Sequence, residues 1–325
     1  MAELGGGPME LVVVIINYGT PQCTIECLES LAGERTHYTN FKVLLVDNAS
    51  KDDSTAQLSR AIVHNQWSHW ISLLPQTRNL GFAGGNNAAI RDAFHQPAPP
   101  EFLLLLNSDT LVHPNCLRTA VNRMRNSPKI GALSCMVRNT DGTIQNVCRK
   151  FPNPLLETCR TLGFPYLFPK LFSWADTEDP SWNRVTTARA VDWIGGAFML
   201  LRASAVRTSG PLDEGFFFYG EDTELCHRLF KNGWLVFFDP TAEITHLGGA
   251  SSSPSQLQNR QKVQLAWNAK LQVQQKCYGK ISALWMRAIY LIAISLNLLS
   301  LWATGRKGST DWLRSALNLS ILLRP

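Results

Sequence analysis

The run Phe102-Leu103-Leu104-Leu105-Leu106, which ends in Asn107-Ser108-Asp109-Thr110, constrains the fold more than any other stretch of the chain. Consecutive apolar residues without alternation suit a strand covered on both faces, and such strands lie in the middle of parallel sheets flanked by helices. Asp109 then falls just past the carboxyl end of a central strand. In open α/β sheets that rim carries the ligand, because strand ends, loops and helix N-termini converge there. Asp109 is therefore a candidate to hold a metal ion against a phosphorylated substrate.

The same strand-then-helix pattern recurs on either side. Leu11 to Ile16 is a β-branched run followed by Asn17-Tyr18-Gly19, after which Thr20-Pro21 opens a helix. Phe41 to Val46 ends in Asp47-Asn48-Ala49-Ser50 before a helix to about Asn65. Trp70 to Leu74 leads into Arg78-Asn79-Leu80-Gly81-Phe82-Ala83-Gly84-Gly85-Asn86-Asn87 and a helix to about His95. Glycines at such a junction let backbone N–H groups approach an anion, but the spacing is not the dinucleotide GxGxxG. A helix from Pro114-Asn115 to Arg125 and a strand over Ile130 to Val137 complete the first half. Successive units of this kind predict a doubly wound, mostly parallel mixed sheet flanked by helices.

Regularity fades from Asn139 to Arg189, and an irregular segment of that length suits an acceptor-side region. Ala190 to Leu201 reads as one strand interrupted by Gly195-Gly196, and Glu221-Asp222 opens a helix that closes at Asn232-Gly233. Trp234 to Phe238 is a further strand, with His246 on the loop beyond it. Gln256 to Tyr278 and Ile281 to Ala303 are helical in pattern. The uncharged run between Arg287 and Arg306 is about 18 residues long, the lower limit for spanning a bilayer. Ser295, Asn297 and Ser300 favour a helix lying in the interface, anchored by Trp285, Tyr290 and Trp302.

The 325 residues suffice for one large α/β domain with an appendage. The formal net charge of +6 collects toward the C-terminus, at Lys280, Arg287, Arg306, Lys307, Arg314 and Arg324. Basic residues flanking apolar segments suit an anionic membrane surface and argue against a nucleic-acid partner. Met1 to Glu10 has no basic residue, so it reads as a loose tail rather than a signal or transit peptide. Eight cysteines without a CxxC pair point to reduced thiols in the cytoplasm.

Six segments in order carry a family resemblance: Val14-Ile15-Ile16-Asn17-Tyr18, Val46-Asp47-Asn48-Ala49-Ser50, Asn79 to Asn86, Leu106-Asn107-Ser108-Asp109, Gly220-Glu221-Asp222 with Arg228, and His246 with Gly249 and Ser251. Over roughly Glu10 to Tyr278 the chain resembles the family-2 glycosyltransferases of the GT-A fold, in particular the rhamnosyltransferase-like branch that builds bacterial cell-envelope glycans. The resemblance implies a flexible tail over 1–9 and a GT-A domain over 10–255, with a nucleotide-sugar-binding half (10–137) and an acceptor and catalytic half (138–255). Residues 256–325 would form a helical, membrane-associating extension.

The resemblance also implies roles. Asn17, Tyr18 and Asp47 would hold the base of a dTDP- or UDP-sugar donor, with Arg78, Asn79, Gly81, Gly85 and Asn86 near its ribose and phosphates. Asp109 matches the last aspartate of the DxD motif, where Asn107 replaces the first carboxylate and Ser108 lies between. His246 matches the histidine that completes a site for Mn2+ or Mg2+. Asp222 matches the general base of an inverting transfer, its proton affinity raised by Glu221, while Arg228 pairs with one of these carboxylates or reaches the diphosphate. The implied activity is inverting transfer of a sugar, rhamnose from dTDP-rhamnose first, to a hydroxyl of a lipid-linked or polysaccharide acceptor. That places the enzyme peripherally on the cytoplasmic face of the inner membrane, and a homodimer is compatible with the chain. Singly, each residue has a plainer reading: Asp109 as a turn or cap residue, His246 as a hydrogen-bonded loop histidine, Glu221-Asp222 as an acidic first turn. Two other functions compete. A sugar-1-phosphate nucleotidyltransferase would need a glycine- and basic-rich N-terminal loop, which Asn17-Tyr18-Gly19-Thr20 does not supply, and a catalytically silent binding subunit of a membrane complex is suggested only by Asn107.

Overall fold

The β-branched and leucine-rich runs become strands and the patterned segments between them become helices in the computed structural model, which describes residues 9–175, 187–248 and 259–306. In chain order the first half comprises β1 (Leu11–Asn17), α1 (Pro21–Glu34), β2 (Phe41–Asp47), α2 (Ser54–His64), β3 (Ile71–Pro75), α3 (Gly81–His95), β4 (Phe102–Asn107), β5 (Thr110–Val112), α4 (Cys116–Asn126) and β6 (Ile130–Arg138). There follow β7 (Cys148–Arg149), α5 (Pro154–Thr161), α6 (Phe164–Leu167), α7 (Pro169–Phe172), β8 (Arg189–Val191), β9 (Trp193–Ile194), β10 (Phe198–Arg202) and α8 (Ala203–Ser209). The chain continues through α9 (Glu221–Lys231), β11 (Leu235–His246), α10 (Asn259–Tyr278) and α11 (Lys280–Ala303). Residues 1–8 of the expected tail, Gly249, Ser251, Lys307, Arg314 and Arg324 lie outside the described residues.

The described residues divide into two compact units. The first, over 9–149, 187–217 and 221–248, is a mixed sheet in the order β3-β2-β1-β4-β10-β6-β11-β5, with β8 added on β11. Helices cover it, as the sequence predicts. β4 sits between β1 and β10, and its Phe102, Leu103 and Leu104 are wholly buried, which is why this run carries no polar alternation. Its neighbours β1, β2 and β3 run parallel to it in consecutive register, so Asn17, Asp47 and Asn107 arrive at one edge of the sheet.

Three local expectations are corrected. The stretch from Ala190 to Leu201 is three strands rather than one, because its pieces pair with different partners: β8 with β11, β9 with β7, and β10 with β4 and β6. The strand expected to stop at Phe238 continues to His246, through a register shift between Asp239 and Glu243 where the chain bulges and resumes pairing. His246 is thus the last residue of β11, not a loop residue. All eight cysteines are free thiols, six of them buried.

The second unit gathers 150–175, 218–220 and 259–306. Here α11 packs one face on its own unit through Met286, Ile289, Tyr290 and Ile294, with Trp267, Leu271 and Leu162 against them. Tyr290 is 2% exposed and donates its hydroxyl to Glu157 Oε1 at 2.8 Å, so it is a core residue and not the interfacial anchor that its place in the sequence suggests. Trp285 and Trp302 remain exposed.

Gly81, at φ +70°, brings the start of α3 against the backbone of Phe217, whose carbonyl accepts from the Phe82 amide at 3.1 Å. A Cβ on residue 81 would stand 2.5 Å from that carbonyl oxygen. Gly81→Ala should therefore cost about 1–3 kcal/mol of stability in urea denaturation; a variant as stable as the wild type would show that this seam is not tight.

Candidate active site

At the rim of β1 and β2 the polar side chains are engaged with one another. Asp47, 2% exposed, accepts from Asn17 Nδ2 (2.7 Å), Ser50 Oγ (2.6 Å), the Ser50 amide (3.3 Å) and Thr55 Oγ1 (2.8 Å). Asn17 in turn accepts from Thr24 Oγ1 at 2.9 Å. Both lie where the sequence places them, and their side chains shape the loop on which half-buried Tyr18 stands. Asn48 reaches across to the next loop, donating to Gly81 O (3.0 Å) and Asn79 Oδ1 (3.1 Å) and accepting from the Leu80 amide (2.9 Å).

The segment expected as a loop through Asn86 is already helix from Gly81 onward. Gly85 lets α3 approach β1, since a Cβ there would lie 3.3 Å from Ile16 Cδ1. Asn86 donates to Phe82 O within the helix, and Asn79 caps the turn by accepting from the Gly81 amide. Arg78 is exposed and its charge helps hold Glu214 below the usual carboxylate range, behind the larger effects of Asn87 and Arg91.

The metal-site candidates meet through backbone pairing. β11 lies antiparallel to β5 with His246 opposite Thr110, and the Leu247 amide donates to Asp109 O at 2.8 Å. This sets His246 Nε2 at 3.2 Å from Asp109 Oδ1 and 3.4 Å from Asn107 Nδ2. The other ring nitrogen, Nδ1, is 2.9 Å from Gln145 Oε1. Gln145 uses its amide nitrogen on Asn139 Oδ1 (2.6 Å) and His246 O (3.3 Å), so the oxygen faces the imidazole and the ring hydrogen belongs on Nδ1. Nε2 then presents a lone pair to a buried carboxylate, two acceptors face to face that need a proton or a cation between them. A hard divalent ion fits this imidazole and carboxylate pair. No third His, Cys, Asp or Glu joins them among the described residues, so a cation held here would take its remaining ligands from a bound molecule or water. Ser108 Oγ, buried beside Asp109, has no hydrogen-bond partner among the described residues, as expected of a group held for a ligand.

Glu221 and Asp222 form the acidic first turn of α9. Burial pushes the Glu221 carboxyl up to about 8, with the Asp222 charge as the second cause, and Glu221 Oε2 has no partner among the described residues. Asp222 is also raised by burial, opposed by the Thr223 amide and hydroxyl at 2.7 and 3.3 Å and by the charge of Arg149. Burial thus raises the proton affinity of both carboxyls of the pair. The proton affinity of Asp222 is raised, as anticipated from the sequence, with burial as its largest cause. Arg228 is occupied elsewhere. It grips Glu224 at 2.9 and 2.6 Å and donates to the carbonyls of Ser209 and Pro211 at 2.5 and 2.9 Å, tying α9 to the turn before it instead of reaching for a diphosphate. Gln145 and Arg149 escaped the sequence reading because both lie in the irregular stretch after β6, where no spacing marks them.

A mixed sheet whose rim gathers polar loop residues, a carboxylate–imidazole pair and an acidic helix start defines a GT-A type glycosyltransferase. Residues 8–269 match the family described as "Glycosyltransferase like family 2", and the chain belongs to that family. It is 29% identical over 223 residues to the N-acetylglucosaminyl-diphospho-decaprenol L-rhamnosyltransferase of Mycobacterium tuberculosis (strain CDC 1551 / Oshkosh), covering 67% of this chain and 68% of that protein. Rhamnosyltransferase WbbL of Escherichia coli (strain K12) is 26% identical over 238 residues, covering 72% and 82% respectively. In fold it is similar to a Pyrobaculum calidifontis mannosyltransferase solved with GDP-Man and Mn2+, with TM-score 0.58, 14% identity, and coverage of 98% of this chain and 86% of that one.

Two outcomes are expected. Gln145→Leu should weaken Mn2+ binding, read by calorimetry, on the order of 10- to 100-fold by freeing the imidazole; undiminished affinity would remove Gln145 from the site. The folded carboxyl of Glu221 lies above its ordinary 4.5, so its contribution to stability is complete below that pH and is lost as pH rises through about 8. Glu221→Gln should flatten this decline in chemical denaturation between pH 4.5 and 8, and an unchanged pH profile would contradict the assignment.

Proposed function

We propose that the protein is an inverting glycosyltransferase that moves rhamnose from dTDP-rhamnose to a hydroxyl of a lipid-linked or polysaccharide acceptor in cell-envelope glycan synthesis. The observation that carries this reading is the facing pair Asp109 Oδ1 and His246 Nε2 at 3.2 Å, set at the sheet rim beside the orphaned Ser108 hydroxyl. The rhamnosyltransferase names of the two relatives, one acting on a decaprenol-linked substrate, support the choice of donor and acceptor class.

In this reading the loops after β1, β2 and β3 frame the donor's nucleoside, through the Asp47 and Asn48 networks rather than through open charges. Asp109 and His246 are the residues that would hold Mn2+ or Mg2+, and such an ion would neutralise charge on the departing diphosphate. Asn107, with an amide where a second carboxylate would stand, adds a donor without adding charge. The acceptor oxygen attacks the sugar's anomeric carbon as the carbon–phosphate oxygen bond breaks; its proton passes to Asp222, and the electron pair leaves with dTDP. A single displacement of this kind inverts the anomeric centre. Glu221, held neutral, keeps a second negative charge away from the diphosphate. The apolar α11, long enough to cross a bilayer by length and composition, and the basic C-terminal sequence support a reaction at the cytoplasmic membrane face.

Purified protein given dTDP-rhamnose, Mn2+ and a polyprenyl-diphospho-sugar acceptor should release dTDP. Asp222→Asn should lower turnover by roughly 10²–10⁴-fold while donor affinity stays within about threefold. Equal loss of donor binding would remove Asp222 from the base role, and release of pyrophosphate from a nucleoside triphosphate instead would point to a nucleotidyltransferase.

A further inference from the structure

The second unit carries more apolar surface than its own packing uses. After α5 the chain turns into the short hairpin α6–α7. Its inward residues, Phe164 and Phe172, meet with tilted rings 5.2 Å apart and pack with Leu156, Cys159 and Ala175. Its outward residues are as apolar: Tyr166 is 80% exposed, Leu171 69%, Leu167 67% and Phe168 56%. The inward pair gives the hairpin its core, and of the outward four only Phe168 touches it, 6.4 Å from the Phe172 ring. Contiguous exposed apolar groups of this size mark a partner.

The charge around them says which partner. Residues 150–179 and 254–325 hold thirteen lysines and arginines against five carboxylates, of which only Glu157 lies among the described residues. That carboxylate is buried and taken up by Arg160, at 3.0 and 2.7 Å, and by the Tyr290 hydroxyl. Among the described residues of these segments no acidic side chain is left to face a partner, and the unit as a whole keeps a strong excess of positive charge. Tyrosine, phenylalanine and leucine with a basic surround, Lys170 on the hairpin itself, match the interface of an anionic bilayer, where aromatic rings sit at headgroup depth and cations meet lipid phosphates. A protein partner would more often be met by mixed charges at the rim.

The hairpin is also tied to the other apolar element of its unit. The Glu157–Tyr290 hydrogen bond and that from Trp285 Nε1 to Thr158 Oγ1 at 3.1 Å join α5 to α11. On α11 the outward positions Ile281, Leu284, Trp285, Ile292, Leu296 and Leu299 recur at helical spacing, all at least half exposed. We propose that the α6–α7 hairpin is a second bilayer-inserting element, which enters the interface of an anionic membrane together with the outward face of α11. Residues 164–172 are then a membrane anchor and not part of the acceptor-side surface expected from the sequence. The inference rests on the membrane-face reading given above.

The test is co-sedimentation of the full-length protein with vesicles of phosphatidylcholine containing phosphatidylglycerol, compared with phosphatidylcholine alone. Wild type should bind the anionic vesicles more tightly and lose binding as salt rises. The variant Tyr166→Ser/Leu167→Ser/Leu171→Ser, which leaves the Phe168–Phe172 contact in place, should bind them at least about tenfold more weakly with unchanged thermal stability and dTDP affinity. Hydrogen exchange over 164–172 should slow when vesicles are added to wild type. Equal vesicle binding by the variant would overturn the hairpin's role and leave a membrane reading based on α11 standing. Failure of the wild type to bind at all would overturn both. If the substitutions instead dissociate a dimer in sedimentation velocity without altering vesicle binding, the surface belongs to a second copy of the chain and the proposal fails.

Discussion

The antiparallel pairing of β11 with β5 is the interaction on which the candidate site depends. Asp109 and His246 are 137 residues apart in sequence, and three matched positions, Ile244–Val112, Thr245–Leu111 and His246–Thr110, set their spacing. Alternation along a strand then divides the labour. Thr245 bonds His113 on one face at 2.8 Å, and His246 meets Asp109 on the other. A slip of one residue would exchange the two faces. The register shift between Asp239 and Glu243 puts β11 in phase for this pairing, and Glu243, held by Arg138 at 2.9 Å and His113 at 3.2 Å, secures the strand after the bulge.

A chain of side-chain hydrogen bonds connects the donor-side loops to the segment that precedes the acidic turn. Asn48 at the end of β2 fixes Asn79 and Gly81. Gly81 and Phe82 meet Phe217, while Asn87, one turn further along α3, exchanges hydrogen bonds with the Leu212 backbone at 2.8 and 3.1 Å. Glu214 closes the chain by accepting from Asn87 and Arg91. The loop that would cradle a diphosphate and the loop that leads to Glu221 and Asp222 are thus parts of one hydrogen-bonded frame. Buried networks of this kind favour a single arrangement because each unpaired member would be costly.

What could be read from the sequence follows from the range of the forces involved. The apolar runs of β1, β2 and β4 and their terminal Asn17, Asp47 and Asp109 were legible because burial on both faces leaves a continuous local signature. The split of 190–201 into three strands was not, since each piece answers to a different distant partner. Nor was the extension of β11 to His246, which crosses a bulge that no local pattern announces. Tyr290 illustrates a different limit. Beside Trp285 and Trp302 it has the composition of an interfacial anchor, yet the buried Glu157 claims its hydroxyl, and a tertiary hydrogen bond leaves no trace in hydropathy. Arg228 likewise looked free for a phosphate until Glu224 and two backbone carbonyls were seen to occupy it.

In the proposed function Asp109 and His246 would act as one cation site beneath the donor's diphosphate. A double-mutant cycle tests it most directly: dTDP-rhamnose binding is measured by calorimetry, with and without Mn2+, for wild type, Asp109→Asn, His246→Ala and the pair. If the two residues share an ion, each single variant loses most of the Mn2+-dependent gain in affinity and the double variant loses no more than either. Independent, additive losses, or a Mn2+-dependent gain that survives in both single variants, would show that the two residues do not share an ion.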